Sequence, residues 1–124
     1  MDEKSFDVKV TGYYPSDDPI EGGFKDCAGN PLKTLSDYER GSDDNSYVSL
    51  AVDKKLIKLG SLINIEGFND NDGVPILFYA CDVGGEVKGY HVDICCGDED
   101  ETYSVDSGKD KKKLTIIGFQ KLNK

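Results

Sequence analysis

Residues 80–94 read ACDVGGEVKGYHVDI and carry the strongest structural signal in the chain. Asp82 follows a short apolar run and precedes two glycines, which are typical of a tight turn. Asp93 lies inside the next apolar run, and Asp53 ends a third one further upstream, at residues 48–52. Aspartates that frame loops between strands indicate a candidate functional site on a β protein.

Short apolar runs, rich in β-branched and aromatic residues, recur along the whole chain. They occupy residues 6–10, 47–52, 62–65, 76–81, 91–95 and 114–119, and each is bounded by Gly, Asn, Asp or Pro. One short helix is predicted at residues 34–39, where Thr34 and Asp37 have the spacing of a capping box. We therefore predict one all-β domain over residues 1–124, a compact six-stranded barrel with its core at residues 6–120, long loops and at most a short helix.

Three polar segments are predicted to be loops. Residues 69–73 read NDNDG and predict a hairpin turn with positive φ at Gly or Asn; an EF-hand is excluded, since counting back from Gly73 places Phe68 first and Tyr79 twelfth. The acidic residues 98–101 are predicted to form a solvated loop. Residues 22–31 predict an ordered loop that covers one end of the barrel or lines a site.

Charge and hydropathy narrow the range of partners. The formal net charge of −9 argues against nucleic acid and against an anionic membrane surface. No apolar run approaches the roughly 20 residues of a spanning helix, and the polar start is not that of a signal peptide. We expect a monomer that needs no cofactor.

The four cysteines allow several interpretations. Cys27, Cys81, Cys95 and Cys96 permit two disulfides in three pairings, and buried free thiols are equally compatible with their positions. A zinc site could combine His91 with the last three cysteines, but paired CxxC motifs are missing and adjacent strand residues point to opposite faces. We therefore expect no metal site.

Taken together, residues 51–61 (AVDKKLIKLGS), 81–85 (CDVGG) and 88–93 (KGYHVD) resemble the 3D domain, a family named for three aspartates. The family pattern runs valine-aspartate, isoleucine-proline-leucine-glycine, aspartate-threonine-glycine-glycine, then lysine-glycine and a last aspartate. Residues 10–15 (VTGYYP) look like its opening strand, so the resemblance extends over residues 10–119. It implies a double-psi β-barrel, the fold of the catalytic domain of MltA-type lytic transglycosylases and of barwin- and expansin-like domains.

The resemblance also implies glycan chemistry. Asp82 matches the family's catalytic acid, and Asp53 and Asp93 match the other two motif aspartates, so all three are predicted catalytic residues. The predicted activity is lytic transglycosylase-like cleavage of peptidoglycan strands, with Asp82 as general acid and base. Hydrolysis of the glycan by water, with Asp82 and Asp93 as the pair of carboxyl groups, stays open as an alternative. Either activity is expected outside the cell or in the cell envelope, after secretion or delivery. Val83 and Lys58 depart from the family pattern, which has threonine and proline at these positions.

Four further residues are predicted to bind the glycan. Tyr13, Tyr14 and Tyr90 are suited to stacking on sugar rings, and Lys88 to pairing with a carboxylate of peptidoglycan. Two alternatives stay open at this point. The aspartates can instead be structural, accepting hydrogen bonds from loop amides, and the chain can be an expansin- or barwin-like module that binds a wall polysaccharide without cleaving it.

Overall fold

Six strands close into a barrel in a computed structural model that describes residues 4–15, 23–41 and 46–122. The elements, in chain order, are β1 (Lys4–Tyr13), α1 (Leu35–Glu39), β2 (Val48–Ala51), β3 (Ser61–Ile65), β4 (Phe78–Asp82), β5 (His91–Cys95), α2 (Glu99–Val105) and β6 (Lys112–Phe119). Around the barrel the strand order is β1-β5-β2-β4-β3-β6. The predicted fold class is confirmed.

The strand pairing mixes two directions. β1 is parallel to β5 and β2 is parallel to β4, whereas β2 with β5, β3 with β4, and β6 with both β1 and β3 are antiparallel. β2 therefore lies between β5 and β4, although β3 directly follows β2 in the chain. Closure of the barrel leaves no open sheet edge to be protected.

The barrel interior is filled by alternate residues of the strands. Val8 and Val10 of β1, Phe78 of β4 and Val92 and Ile94 of β5 are fully buried and belong to one core cluster. The polar or small residues between them face the outside, as the two-residue period of a strand requires. The apolar runs of the sequence thus contribute the inward-facing side chains of the barrel wall.

Helix α1 lies where a helix was predicted, whereas helix α2 lies where a loop was predicted. α1 begins after Thr34, whose hydroxyl accepts a hydrogen bond of 3.1 Å from the backbone N–H of Asp37, as predicted. The prediction of a loop at residues 98–101 was wrong, because Asp98 accepts a hydrogen bond of 2.9 Å from the N–H of Glu101 and caps α2. The acidic residues of its first turn also interact favourably with the helix dipole.

The turn predicted at residues 69–73 is confirmed. Residues 69–73 connect two antiparallel strands, and Gly73 has a φ of 81°. Within the part of the chain that the structure describes, no helix has the length and apolar character that crossing a bilayer requires.

Gly12 is the point at which α2 packs against β1. A Cβ added there would lie 2.8 Å from the Cα of Thr102, 2.8 Å from Cγ2 of Val105 and 2.9 Å from Sγ of Cys96. Since a backbone atom cannot yield as a side chain does, Gly12→Ala is expected to lower the free energy of unfolding by about 1–3 kcal/mol in urea titrations.

The matched control for this prediction is Gly118→Ala in β6. The nearest atom to its added Cβ is the flexible Cδ1 of Leu62, at 3.3 Å. The control is therefore expected to change stability little. Equal losses in the two variants would show that contact with α2 is not the cause.

Candidate active site

A row of side chains crosses the outer face of four neighbouring strands. Thr11 of β1 pairs with Asp93 of β5, Asp93 pairs with Ala51 of β2, and Ala51 pairs with Asp82 of β4. Directly opposed residues share one face of a sheet. Leu50 and Val52, the chain neighbours of Ala51, lie in the core, so Ala51 and the rest of the row face outward. Asp82 and Asp93 thus lie two strands apart, about 9–10 Å between their backbones, on either side of a methyl group.

A register shift at the end of β4 is what turns Asp82 outward. Ala80 lies in the core, so regular alternation would direct Asp82 inward as well. Leu50 pairs with Ala80, but the next residue of β2, Ala51, pairs with Asp82. Cys81 is therefore the extra residue of a β-bulge, a device that re-aims side chains next to functional sites.

A groove of about 670 Å³ lies over this row. Its lining residues are Gly12, Tyr13, Tyr14, Lys25, Asp26, Cys27, Ala51, Asp82, Val83, Gly84, Gly85, Glu86, Val87, Asp93 and Thr102. A smaller pocket of about 380 Å³ is lined mainly by residues of β1, of β6 and of the loop before β3, and no carboxylate is among its lining residues. Because two of the motif aspartates, Asp82 and Asp93, line the larger groove, we take it as the candidate site.

Four of the seven predicted site residues line this groove, namely Asp82, Asp93, Tyr13 and Tyr14. Asp53, Lys88 and Tyr90 are not among its lining residues. Lys88 is exposed at the surface. Tyr90 is 54% exposed, and its ring packs against Phe6 with 5.8 Å between the ring centroids.

Asp82 is partly buried and interacts with several neighbours. Tyr13 donates a hydrogen bond of 3.1 Å from its hydroxyl to Oδ2 of Asp82. Burial raises the pKa of Asp82, and the charge of Asp26 adds to this rise. The backbone N–H groups of Val83 and Cys27 and the bond from Tyr13 oppose it. Burial also raises the pKa of Tyr13 well above its usual value, so the phenol stays a neutral donor.

Asp93 is held by Thr11. The Thr11 hydroxyl donates a hydrogen bond of 3.0 Å to Oδ1 of Asp93 and lies 2.7 Å from Nε2 of His91. A hydroxyl has one proton, so with Thr11 donating to Asp93 the His91 ring is the donor to Thr11. Burial raises the pKa of Asp93, the bond from Thr11 and the charge of His91 oppose the rise, and the charge of Asp82 adds to it.

Asp53 connects two loops instead. Its Oδ2 accepts a hydrogen bond of 2.8 Å from the N–H of Gly89, and its Oδ1 accepts one of 3.0 Å from the N–H of Lys55. These two bonds lower the pKa of Asp53. The carboxylate thereby ties the end of β2 to the loop before β5, and its catalytic role stays a prediction.

Asp26 is a groove residue that the sequence prediction missed. The signal was a repeat: residues 23–32 read GFKDCAGNPL and residues 67–76 read GFNDNDGVPI. Oδ1 of Asp26 accepts hydrogen bonds from the N–H groups of Ala28 (2.9 Å) and Asn30 (3.0 Å), and Oδ1 of Asp70 accepts equivalent bonds of 2.8 and 2.9 Å in the second copy.

These duplicated turns explain the predicted loop at residues 22–31. Gly22 lies outside the described residues, but the described part of the loop folds as the first copy of the turn. Lys25, Asp26 and Cys27 of this copy line the groove. The loop therefore borders the candidate site.

The cysteines are free thiols. Burial raises the pKa of Cys81 and of Cys96 to about 12, which favours the unreactive protonated form. Cys96 belongs to the core cluster, whereas Cys95 is buried outside it, so the two adjacent residues do face opposite sides of the barrel wall. Among residues 4–15, 23–41 and 46–122, no three His, Cys, Asp or Glu side chains are grouped to hold a metal ion.

Solved structures similar to this chain include crystal structures of MltA from E. coli. The match to MltA itself has 24% sequence identity and a TM-score of 0.50, and covers 77% of this chain and 28% of that one. The match to MltA with bound chitohexaose has 22% identity and a TM-score of 0.50, and it covers 78% of this chain and 28% of the MltA chain. This chain thus spans little more than a quarter of the length of MltA, and the likeness shows a shared fold.

No curated protein matches this sequence. The model of the 3D domain matches residues 48–118, which is more than half of the chain and includes all three motif aspartates. The chain therefore belongs to the 3D domain family.

Proposed function

We propose that this chain cleaves peptidoglycan strands as a lytic transglycosylase, with Asp82 as general acid and base. The observation that carries the proposal is the outward row in one groove, in which Asp82 and Asp93 flank Ala51. A solved structure of MltA holds chitohexaose, and we extend glycan binding to the groove described above.

The proposed reaction needs one carboxyl group that both gives and takes a proton. Asp82 protonates the leaving glycosidic oxygen as the bond from C1 to that oxygen breaks. The C6 hydroxyl of the same sugar then attacks C1 and returns its proton to Asp82, which yields a 1,6-anhydro sugar. Because the attacking hydroxyl is tethered to the reacting sugar, no second carboxyl group is needed to activate water.

The electrostatics of the groove support this role for Asp82. A general acid must be protonated when the substrate arrives, and burial raises the pKa of Asp82 in that direction. Asp93, oriented by Thr11, supplies negative charge that stabilises the cationic character of the sugar in the transition state. Tyr13 and Tyr14 line the groove, where their rings can contact sugars.

A second candidate function is a non-catalytic polysaccharide-binding module of the expansin or barwin kind. The observation that favours it is Val83, which is 39% exposed in the groove where the family pattern has a threonine hydroxyl. Both candidates place the chain's action on a glycan of the cell envelope or outside the cell.

Digestion of purified peptidoglycan separates the two candidates. We expect soluble fragments with anhydro-sugar ends, detected by mass spectrometry, when the chain is incubated with peptidoglycan at acidic to neutral pH. Fragments with ordinary reducing ends would indicate hydrolysis by water and contradict the tethered mechanism. Binding to insoluble glycan without any soluble product would favour the second candidate.

A further inference from the structure

The carboxylate of Asp26 is buried in a way that its turn does not explain. Asp26 is 6% exposed, and its Oδ1 already accepts the two hydrogen bonds that form the turn. Its Oδ2 is buried and, among the described residues, accepts no hydrogen bond of ordinary geometry; the only polar side chain that the carboxylate meets besides its own turn is the thiol of Cys81, a weak donor. A buried carboxylate oxygen that faces no better donor than a thiol is costly, so the burial of this charge calls for a reason other than the turn.

The second copy of the turn provides an internal comparison. Asp70 makes the same pair of bonds through Oδ1 but is only partly buried, and it is not among the groove-lining residues. The amide oxygen of an asparagine accepts such bonds equally well. The negative charge of Asp26 is therefore not required by the turn, and what distinguishes Asp26 from Asp70 is its location.

Asp26 lies against the end of β4, the strand that carries Asp82. The thiol of Cys27 donates a hydrogen bond of 3.1 Å to the carbonyl oxygen of Cys81, which joins the turn to the end of β4. Asp26 and Asp82 line the same groove. The charge of Asp26 raises the pKa of Asp82, and the backbone N–H of Cys27, in the same turn, lowers it. The other titratable groups that interact with Asp82 are Tyr13 of β1, Asp93 and Cys95 of β5, and Cys27 of the turn.

We propose that Asp26 is a positioning residue for Asp82: the turn holds its negative charge against the end of β4, where it retains the proton that the general acid must donate. This inference rests on the proposed function for its catalytic meaning. The effect of the Asp26 carboxylate on the protonation of Asp82 can be measured without any substrate.

The experiment compares Asp26→Asn with Asp70→Asn. Both substitutions keep an oxygen that can accept the turn's hydrogen bonds, and both remove one negative charge from the chain. The probe is the titration of the Asp82 side-chain carboxyl carbon, followed by NMR in each folded variant. We expect Asp26→Asn to lower the Asp82 midpoint by about half a pH unit to one unit, as for one partly screened charge, and Asp70→Asn to leave it unchanged.

The pH dependence of the activity provides a second measurement of the Asp82 pKa. Activity that needs a protonated Asp82 falls as pH rises through its pKa, so Asp26→Asn should move this decline to lower pH by the same amount. An unchanged Asp82 midpoint in Asp26→Asn, or an equal shift in Asp70→Asn, would overturn the inference. A shifted midpoint in a chain that releases no glycan fragments would count against the proposed function alone. If Asp26→Asn does not fold, Asp26→Ser replaces it, because a hydroxyl can also accept the turn's bonds.

Discussion

Asp82→Asn is expected to abolish the release of anhydro-sugar fragments from peptidoglycan, with a loss of about 10²- to 10⁴-fold in rate. An amide neither donates the proton to the leaving oxygen nor accepts one from the C6 hydroxyl. The loss should not come from unfolding, since Asn keeps an oxygen that can accept the bond from Tyr13. Product release measured by mass spectrometry, together with thermal unfolding of the same sample, checks this.

The sign of the stability effect follows from the pKa of Asp82. A carboxyl group whose pKa is raised on folding stabilises the protein below its ordinary pKa and loses that contribution as pH rises through the folded value. At neutral pH, removing the ionised group is therefore expected to leave the unfolding temperature unchanged or higher. Asp70→Asn is the matched control for activity, and persistence of products in Asp82→Asn would refute the acid role.

Phe78→Ala is expected to lower the free energy of unfolding by about 3–5 kcal/mol. Phe78 is fully buried in β4, and its ring packs edge-on against Phe68 with 5.9 Å between the centroids. The loss combines the transfer of a large apolar side chain with the cavity it leaves behind. Since domains of this size are stable by about 5–15 kcal/mol, urea denaturation should show a large decrease in the midpoint.

Phe119→Ala is the matched control for this core substitution. Phe119 is 50% exposed in β6, so the same truncation removes far less buried apolar surface. We expect its urea midpoint to stay close to that of the unchanged chain. Losses of similar size in the two variants would contradict the assignment of Phe78 to the core.

Local sequence patterns predicted the strands well because each strand is a run of β-branched or aromatic residues with its own turn signals. β5 begins and ends where the sequence predicted, at His91–Cys95. Helix α2 was missed although its cap is local, since Asp98 and Glu101 have the spacing of a capping box. What the sequence does not show is the packing of the helix, because Thr102 and Val105 meet Gly12, 90 and 93 positions away in the chain (102 minus 12 and 105 minus 12). Such long-range support is invisible in a window of neighbouring residues.

The candidate site was only partly predictable for a similar reason. The motif aspartates were recognised, but only the strand order, with β2 between β5 and β4, shows that Asp82 and Asp93 share a groove and that Asp53 does not line it. Asp26 could have been found from the sequence, since the repeat of its turn is plain in the residues. Its burial could not, because the first turn reaches the groove through tertiary contacts that the second does not make.

The bulge at Cys81 also bears on how faithfully the barrel assembles. If β4 continued its pairing without the extra residue, Cys81 would oppose Ala51 and Asp82 would enter the core beside Val52. A misregistered strand would then bury an ionised carboxylate among apolar side chains, at a cost of several kcal/mol. Asp82 therefore raises the free energy of the barrel with the wrong register. One side chain thus serves both the proposed chemistry and the selection of a single native barrel.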